Sequence, residues 1–158
     1  MTGKIAVGGI TRTDGLVLIR ILGVPDRQGL AGKALSALGQ QGINLNCVSS
    51  FHDRDGLGNL AFAVGAGDLD QTLGLLQSLQ EQVQANSLEV QRRCSAISIY
   101  GPHFSERPAI AGAVFQAAGE AGVEIHMIAT SLSTVSFLTN EEQAALAVRR
   151  LQEHFLVP

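Results

Sequence analysis

The chain of 158 residues says nearly the same thing twice. Leu30-Ala31-Gly32 returns as Ile110-Ala111-Gly112, Gly39 as Gly119, and Gly42-Ile43-Asn44 as Gly122-Val123-Glu124, each pair 80 residues apart. The apolar positions between them keep phase: Ala34, Leu35, Ala37, Ile43, Leu45 and Val48 answer to Val114, Phe115, Ala117, Val123, Ile125 and Ile128. A repeat of this length is two copies of one small module, so function belongs to a pair of modules rather than to one continuous domain. Hydrophobic residues make up 46% and charged ones 16%, which supplies a packed core and argues against disorder.

Each copy follows the same order of elements. Leu16 to Leu22 is a short branched apolar run, a buried strand, closed by the turn residues Gly23-Val24-Pro25-Asp26-Arg27-Gln28-Gly29. Leu30, Ala34, Leu35 and Leu38 recur at helical spacing, and Gly42 stops that helix. Ile43 to Ser50 alternates as a strand, with Ile43, Leu45 and Cys47 inward and Asn44 and Asn46 outward. A polar hairpin at His52 to Gly56 leads to the strand Asn59–Val64. Asp68 with Gln71 forms a capping box for a helix Leu69–Gln84, and Ser87–Arg92 supplies a last strand.

The second copy offers a strand Ala96–Tyr100, a loop Gly101–Arg107, and a helix opened by Pro108 and running to Ala121. Strands at Val123–Ala129 and Thr134–Leu138 follow, then a helix capped by Asn140 with Gln143 and running through Phe155. That copy is one strand short, and Lys4–Ile10 is a strand without a module. The expectation is an α+β fold of two ferredoxin-like β-α-β-β-α-β modules in tandem. The first spans residues 11–94 and the second 95–158, the latter completed by strand 4–10.

Composition narrows the partners. Trp is absent, Tyr occurs once and the net charge is −3, so there are few stacking platforms and no basic stripe for nucleic acid. The opening residues lack the apolar run of a signal peptide and no segment suits a bilayer, so the chain reads as soluble and cytoplasmic. Cys47 and Cys94, isolated in strand-like stretches, read as buried thiols. His52, His103, His126 and His154 fall in different elements, and no metal-ligand or nucleophile motif accompanies them, so no metal, cofactor or catalytic centre is expected.

The segment Asp26, Gln28 and Gly29 stands just before a helix N-terminus, where unpaired N–H groups and the helix dipole favour an anion while Asp26 suits an ammonium group. Those are the two charges of a free α-amino acid. The same residues also suit a plain turn, with Asp26 capping it and Gly29 permitting its backbone angles. Asn44 and Asn46 lie on the outer face of the facing strand, and Glu124 stands where the first copy has Asn44.

Gly23 to Ala31 followed by Gly42-Ile43-Asn44-Leu45-Asn46 resembles the first ACT module of aspartate kinases. Ala96-Ile97-Ser98-Ile99 leading to Pro108, then Glu124 to Ser131 and the tail Ala147 to Phe155, resembles their second module. The resemblance covers about Ile5 to Phe155. It implies a non-catalytic regulatory region that senses an end-product amino acid, typically lysine or threonine, between the modules of two paired chains. It also implies a homodimer, an interleaved N-terminal strand and a kinase catalytic subunit as partner. Carried over, the effector site comprises Asp26, Gln28, Gly29, Leu30, Ala31, Asn44, Asn46 and Ser50, with Ile110, Ala111, Glu124 and Ile125 from the partner module. The chain departs from the family pattern at Gln28, Asn46, Ser50, Glu124 and Leu132, which bears on the effector rather than on the fold. Two other readings follow from the same resemblance: the C-terminal portion of a complete aspartate kinase, or a tandem ACT interaction module that has lost its ligand.

Overall fold

The computed structural model describes residues 3–25, 29–102 and 104–158. It divides into two compact units, Gly15–Arg92 (the first module) and Met1–Asp14 with Arg93–Pro158 (the second). The elements are β1 (Ile5–Ala6), β2 (Gly9–Val24), α1 (Leu30–Gln40), β3 (Asn46–His52), β4 (Gly58–Gly65), α2 (Leu69–Val83), β5 (Ser87–Tyr100), α3 (Ala109–Glu120), β6 (Met127–Thr130), β7 (Thr134–Asn140), α4 (Ala144–His154) and β8 (Phe155–Leu156).

In the first module the strands lie in the order β3-β4-β2-β5, and β4 runs antiparallel to both β3 and β2. Two helices cross between strands in the split β-α-β manner. α1 turns Leu30, Ala34 and Leu38 inward, and α2 turns Leu69, Leu76, Leu79 and Val83 inward. Between them and the sheet side chains Ile19, Ile21, Leu60 and Phe62 they close one apolar core. The second module repeats the order as β2-β5-β7-β6, its first place taken by the start of β2. There the N–H of Gly8 donates to the carbonyl of Tyr100 at 2.7 Å, and the Ser95 hydroxyl donates to Asp14 at 2.6 Å. α3 buries Ile110, Val114, Ala117 and Ala118, and α4 buries Ala144, Ala147 and Leu151. Gly42 and Gly122 both adopt φ of 71°, the left-handed turn that ends α1 and α3 and that a Cβ would strain.

The repeat changes phase part way through each copy. Leu30, Ala34 and Leu38 match Ile110, Val114 and Ala118 at 80 residues, but Phe62 and Phe137, both fully buried, stand 75 apart, as do Leu69 and Ala144. The β3–β4 hairpin of the first module is therefore five residues longer than the β6–β7 hairpin of the second.

Several local expectations are corrected. The strands expected at Leu16–Leu22 and Lys4–Ile10 are instead one long strand, β2, and a separate two-residue strand, β1. Ser87–Arg92 and Ala96–Tyr100 are one strand, β5. The strand expected from Ile43 starts only at Asn46, and inside it Cys47 takes φ of 47° where the register shifts between Asn46 and Ser49. Neither capping box forms: Asp68 and Asn140 flank short 3-10 turns and make no side-chain cap bond to the helices that follow. Thr72 instead donates to the Asp68 carbonyl at 2.7 Å. The last helix stops at His154, since Phe155 is extended (φ −115°, ψ 148°) and buries its ring in the second core. Phe155–Leu156 then pairs parallel with Ile5–Ala6, so the second copy does carry a further strand.

Candidate functional site

In the first module β2 ends at Val24, and the described chain resumes at Gly29, which has φ of 87° and precedes α1. Asp26 and Gln28, both assigned to the effector loop, lie outside the described residues. As a glycine, Gly29 brings no side chain to cap α1, and the first turn of α1 holds no acidic residue, so its N–H groups and positive dipole end suit an anion.

Beside that turn lies a cavity of about 170 Å³ lined by Leu30, Ala31, Ser50, Phe51, His52, Gly58 and Asn59. Its floor is the start of α1 and its wall is the end of the β3–β4 hairpin. Pockets for drug-sized ligands run from about 300 Å³ upward, so this one suits a molecule of amino-acid size. Of the expected site residues, Leu30, Ala31 and Ser50 meet here. Asn44 is exposed just past α1, and Asn46 is half-buried in β3 opposite Ala63; neither lines the cavity.

Four lining residues were not expected from the sequence, Phe51, His52, Gly58 and Asn59, and the last makes the most side-chain bonds. It is 5% exposed. Its Oδ1 accepts from the Gly23 N–H at 3.0 Å, and its Nδ2 donates to the carbonyls of Leu57 at 3.1 Å and Phe51 at 3.4 Å. Nδ2 also reaches Asp53 Oδ2 at 3.4 Å. Asp53 in turn accepts from the N–H groups of Asp55 and Leu57 at 2.9 and 3.0 Å, and the Leu57 bond foremost holds its carboxyl below the usual carboxylate range. An Asn at a strand start reads as a turn residue, and only its burial reveals the role.

The second module has a counterpart of different character. A cavity of about 310 Å³ is lined by Ile110 and Ala111 together with Phe104, Arg107, Thr130, Leu132 and others. Glu124 lies away from it: its N–H donates to Gln143 Oε1 at 2.9 Å, and its carboxylate accepts from Asn140 Nδ2 at 3.3 Å. Asn140 Oδ1 pairs with His126 Nε2 at 2.8 Å. Ile125 packs on the second core. Where the first module places Asn44, Asn46, Gly65 and Asp68, the second thus has a joined polar cluster of Glu124, His126, Asn140 and Gln143.

Among the described residues, no three or more His, Cys, Asp or Glu gather to hold a metal ion, and no helix is long and apolar enough to cross a membrane. Cys47 is half-buried, and burial pushes its thiol up; Cys94 is fully buried.

A family model for the ACT domain matches residues 97–155. The solved structure of aspartokinase alpha and beta subunits is 30% identical with a TM-score of 0.85, covering 94% of this chain and 98% of that one. The regulatory subunit of aspartate kinase from Thermus thermophilus, in its ligand-free form, is 26% identical with a TM-score of 0.87, covering 96% of this chain and 99% of that one. An aspartokinase of Bacillus sp. (strain MGA3) is 23% identical over 155 residues, which is 98% of this chain and 38% of that protein. This chain thus spans little more than a third of that relative's length. Fold, tandem arrangement and likeness agree: the chain belongs to the ACT-domain family, as a tandem ACT regulatory region of the aspartate kinase type.

Proposed function

We propose that the chain is a non-catalytic sensor that binds a free amino acid, lysine or threonine, in the first module and so regulates an aspartate kinase catalytic domain. The observation that carries this reading is the cavity at the start of α1, where Leu30, Ala31 and Ser50 converge. Its size and the dipole end of α1 suit the carboxylate of a zwitterion, and Asp26, which precedes α1 in the sequence, is proposed as the partner of its ammonium group. Gln28 and Gly29, which precede α1 in the sequence, Asn44 and Asn46, which lie outside the cavity lining of a single copy, and Ile110, Ala111, Glu124 and Ile125 of a second copy complete the proposed site in a homodimer. Support for pairing comes from the edge strands: β3 exposes Val48 and Phe51, and β6 exposes Ile128. Apolar side chains on an unpaired edge call for a cover.

The mechanism is differential affinity. An effector that binds one arrangement of paired modules better than another biases whatever the modules hold, with a coupling of about 1–3 kcal/mol in typical allosteric systems. Calorimetric titration of the full chain with each common amino acid at millimolar concentration tests the reading. Saturable heat from lysine or threonine, with a matching rise in melting temperature, is expected. No binding by any of them overturns it.

A further inference from the structure

We infer that Asn59 is the positioning residue of the first-module effector site, an inference that rests on the proposed reading of that cavity. Two segments adjoin Gly58 and Asn59, the residues of β4 that line the cavity. One is the exit of β2, where the ladder with β4 is broken between Ile21 and Val24, at the bulge that holds Gly23. The other is the Asp53–Leu57 turn at the tip of the β3–β4 hairpin. The ladder resumes at the Val24–Gly58 pair, and beside it one buried amide ties the two segments together. Asn59 Oδ1 takes the Gly23 N–H, which the broken ladder leaves without a strand partner, and Nδ2 takes the carbonyls of Phe51 and Leu57 and the Asp53 carboxylate.

The other side of Gly23 is held as well, since its carbonyl accepts from the Asn86 N–H at 3.2 Å. Gly23 is two residues before Pro25, and Pro25 opens the segment that runs to Gly29 and α1. Through Asn59, the point from which that segment departs is fastened to the hairpin wall that carries Phe51 and His52. A shift of either border is passed to the other, because the amide cannot keep all its partners if one moves.

Among the described residues, the device belongs to the first module alone. At the matching position the second module has Thr134, its hairpin is five residues shorter, and that turn is closed locally by the Ser131 N–H donating to the Thr134 carbonyl at 2.8 Å. The longer first hairpin and its Asn59 tie therefore mark the module whose cavity needs a set shape.

The test uses the full chain, unmodified and as Asn59→Ala, Asn59→Asp and Asp53→Ala, at a temperature where circular dichroism shows each fully folded. Lysine and threonine dissociation constants are read by calorimetry, and Gly23 amide exchange by NMR without any ligand. Asn59→Ala is expected to weaken effector binding at least tenfold and to speed Gly23 exchange. Asn59→Asp keeps the acceptor for Gly23 but loses the donor, so Gly23 protection stays while affinity falls. Asp53→Ala acts at the surface end of the same tie and weakens binding with no group removed from the cavity; in combination with Asn59→Ala its effect is less than additive. If Asn59→Ala fails to fold, the Asn59→Asp and Asp53→Ala arms carry the decision. Unchanged affinity in the folded variants, with only stability lowered, overturns the positioning role and leaves the effector reading intact. If the unmodified chain binds neither amino acid, the effector reading falls and takes this inference with it.

Discussion

Gly23 is where backbone conformation and packing combine most sharply, and its replacement by alanine can be worked through in parts. Its φ of 70° lies in the left-handed region, which costs an L-residue roughly 1–2 kcal/mol. A Cβ there would also overlap the Asn86 amide nitrogen and lie 2.8 Å from the Asn86 Cβ. Forcing an extra carbon into such a contact costs typically about 1–3 kcal/mol, as the neighbour is displaced. Gly23→Ala is therefore expected to lower stability by about 2–5 kcal/mol in urea unfolding followed by circular dichroism. The two parts separate in an Asn86→Gly background, where the clash is gone and only the dihedral cost remains. There Gly23→Ala should cost about 1–3 kcal/mol less than in the unmodified chain. A cost below about 0.5 kcal/mol in the unmodified chain would refute the conformational argument. An equal cost in both backgrounds would refute the contact with Asn86.

Thr139 is fully buried with its hydroxyl unpartnered among the described residues, and its counterpart at 75 residues is the buried Val64, so Thr139→Val should raise stability by about 1–2 kcal/mol; denaturant midpoints check this, and a loss of stability contradicts it. Asp14 is held below the usual carboxylate range chiefly by Arg12 and then by Ser95, and Asp53 chiefly by the Leu57 N–H. For both, the folded pKa lies below the unfolded one, so their contribution is present above the ordinary Asp value near about 3.9 and is lost as pH falls through the folded value. Unfolding midpoints should drop in that acidic window, and Asp14→Asn with Asp53→Asn should flatten the drop; an unaltered profile opposes this account. Burial raises the Cys47 thiol, so its alkylation at pH 8 should run slower than that of a small free thiol, with Cys94 slower still; a fast-reacting Cys47 contradicts the burial.

What could be read in advance is what local periodicity controls. Leu30, Ala34 and Leu38, with their partners at 80 residues, announce α1 and α3, and the glycines after them announce the stops. Burial of those faces by strands with β-branched runs makes the ferredoxin-like order legible too. The features that escaped depend on tertiary pairing. Thr11 to Gly15 and Arg93 to Ser95 carry no strand pattern of their own and become strand because β2 and β5 lie beside each other. Cys47 sits at positive φ with no side-chain signal for it. Phe155 leaves helix for strand because its ring belongs in a core that begins with the chain's first strand. In the site, Leu30, Ala31 and Ser50 were legible through family likeness, whereas Asn59 shows its part only when its burial and its bonds to Gly23, Phe51, Leu57 and Asp53 are seen together.

The central claim is that the first-module cavity is where the effector sits. An NMR titration of the full chain with threonine, and separately with lysine, tests it residue by residue. One of the two should shift the backbone amides of Leu30, Ala31, Ser50 and Asn59 together and saturably. Saturable binding that leaves those four amides unmoved would contradict the account.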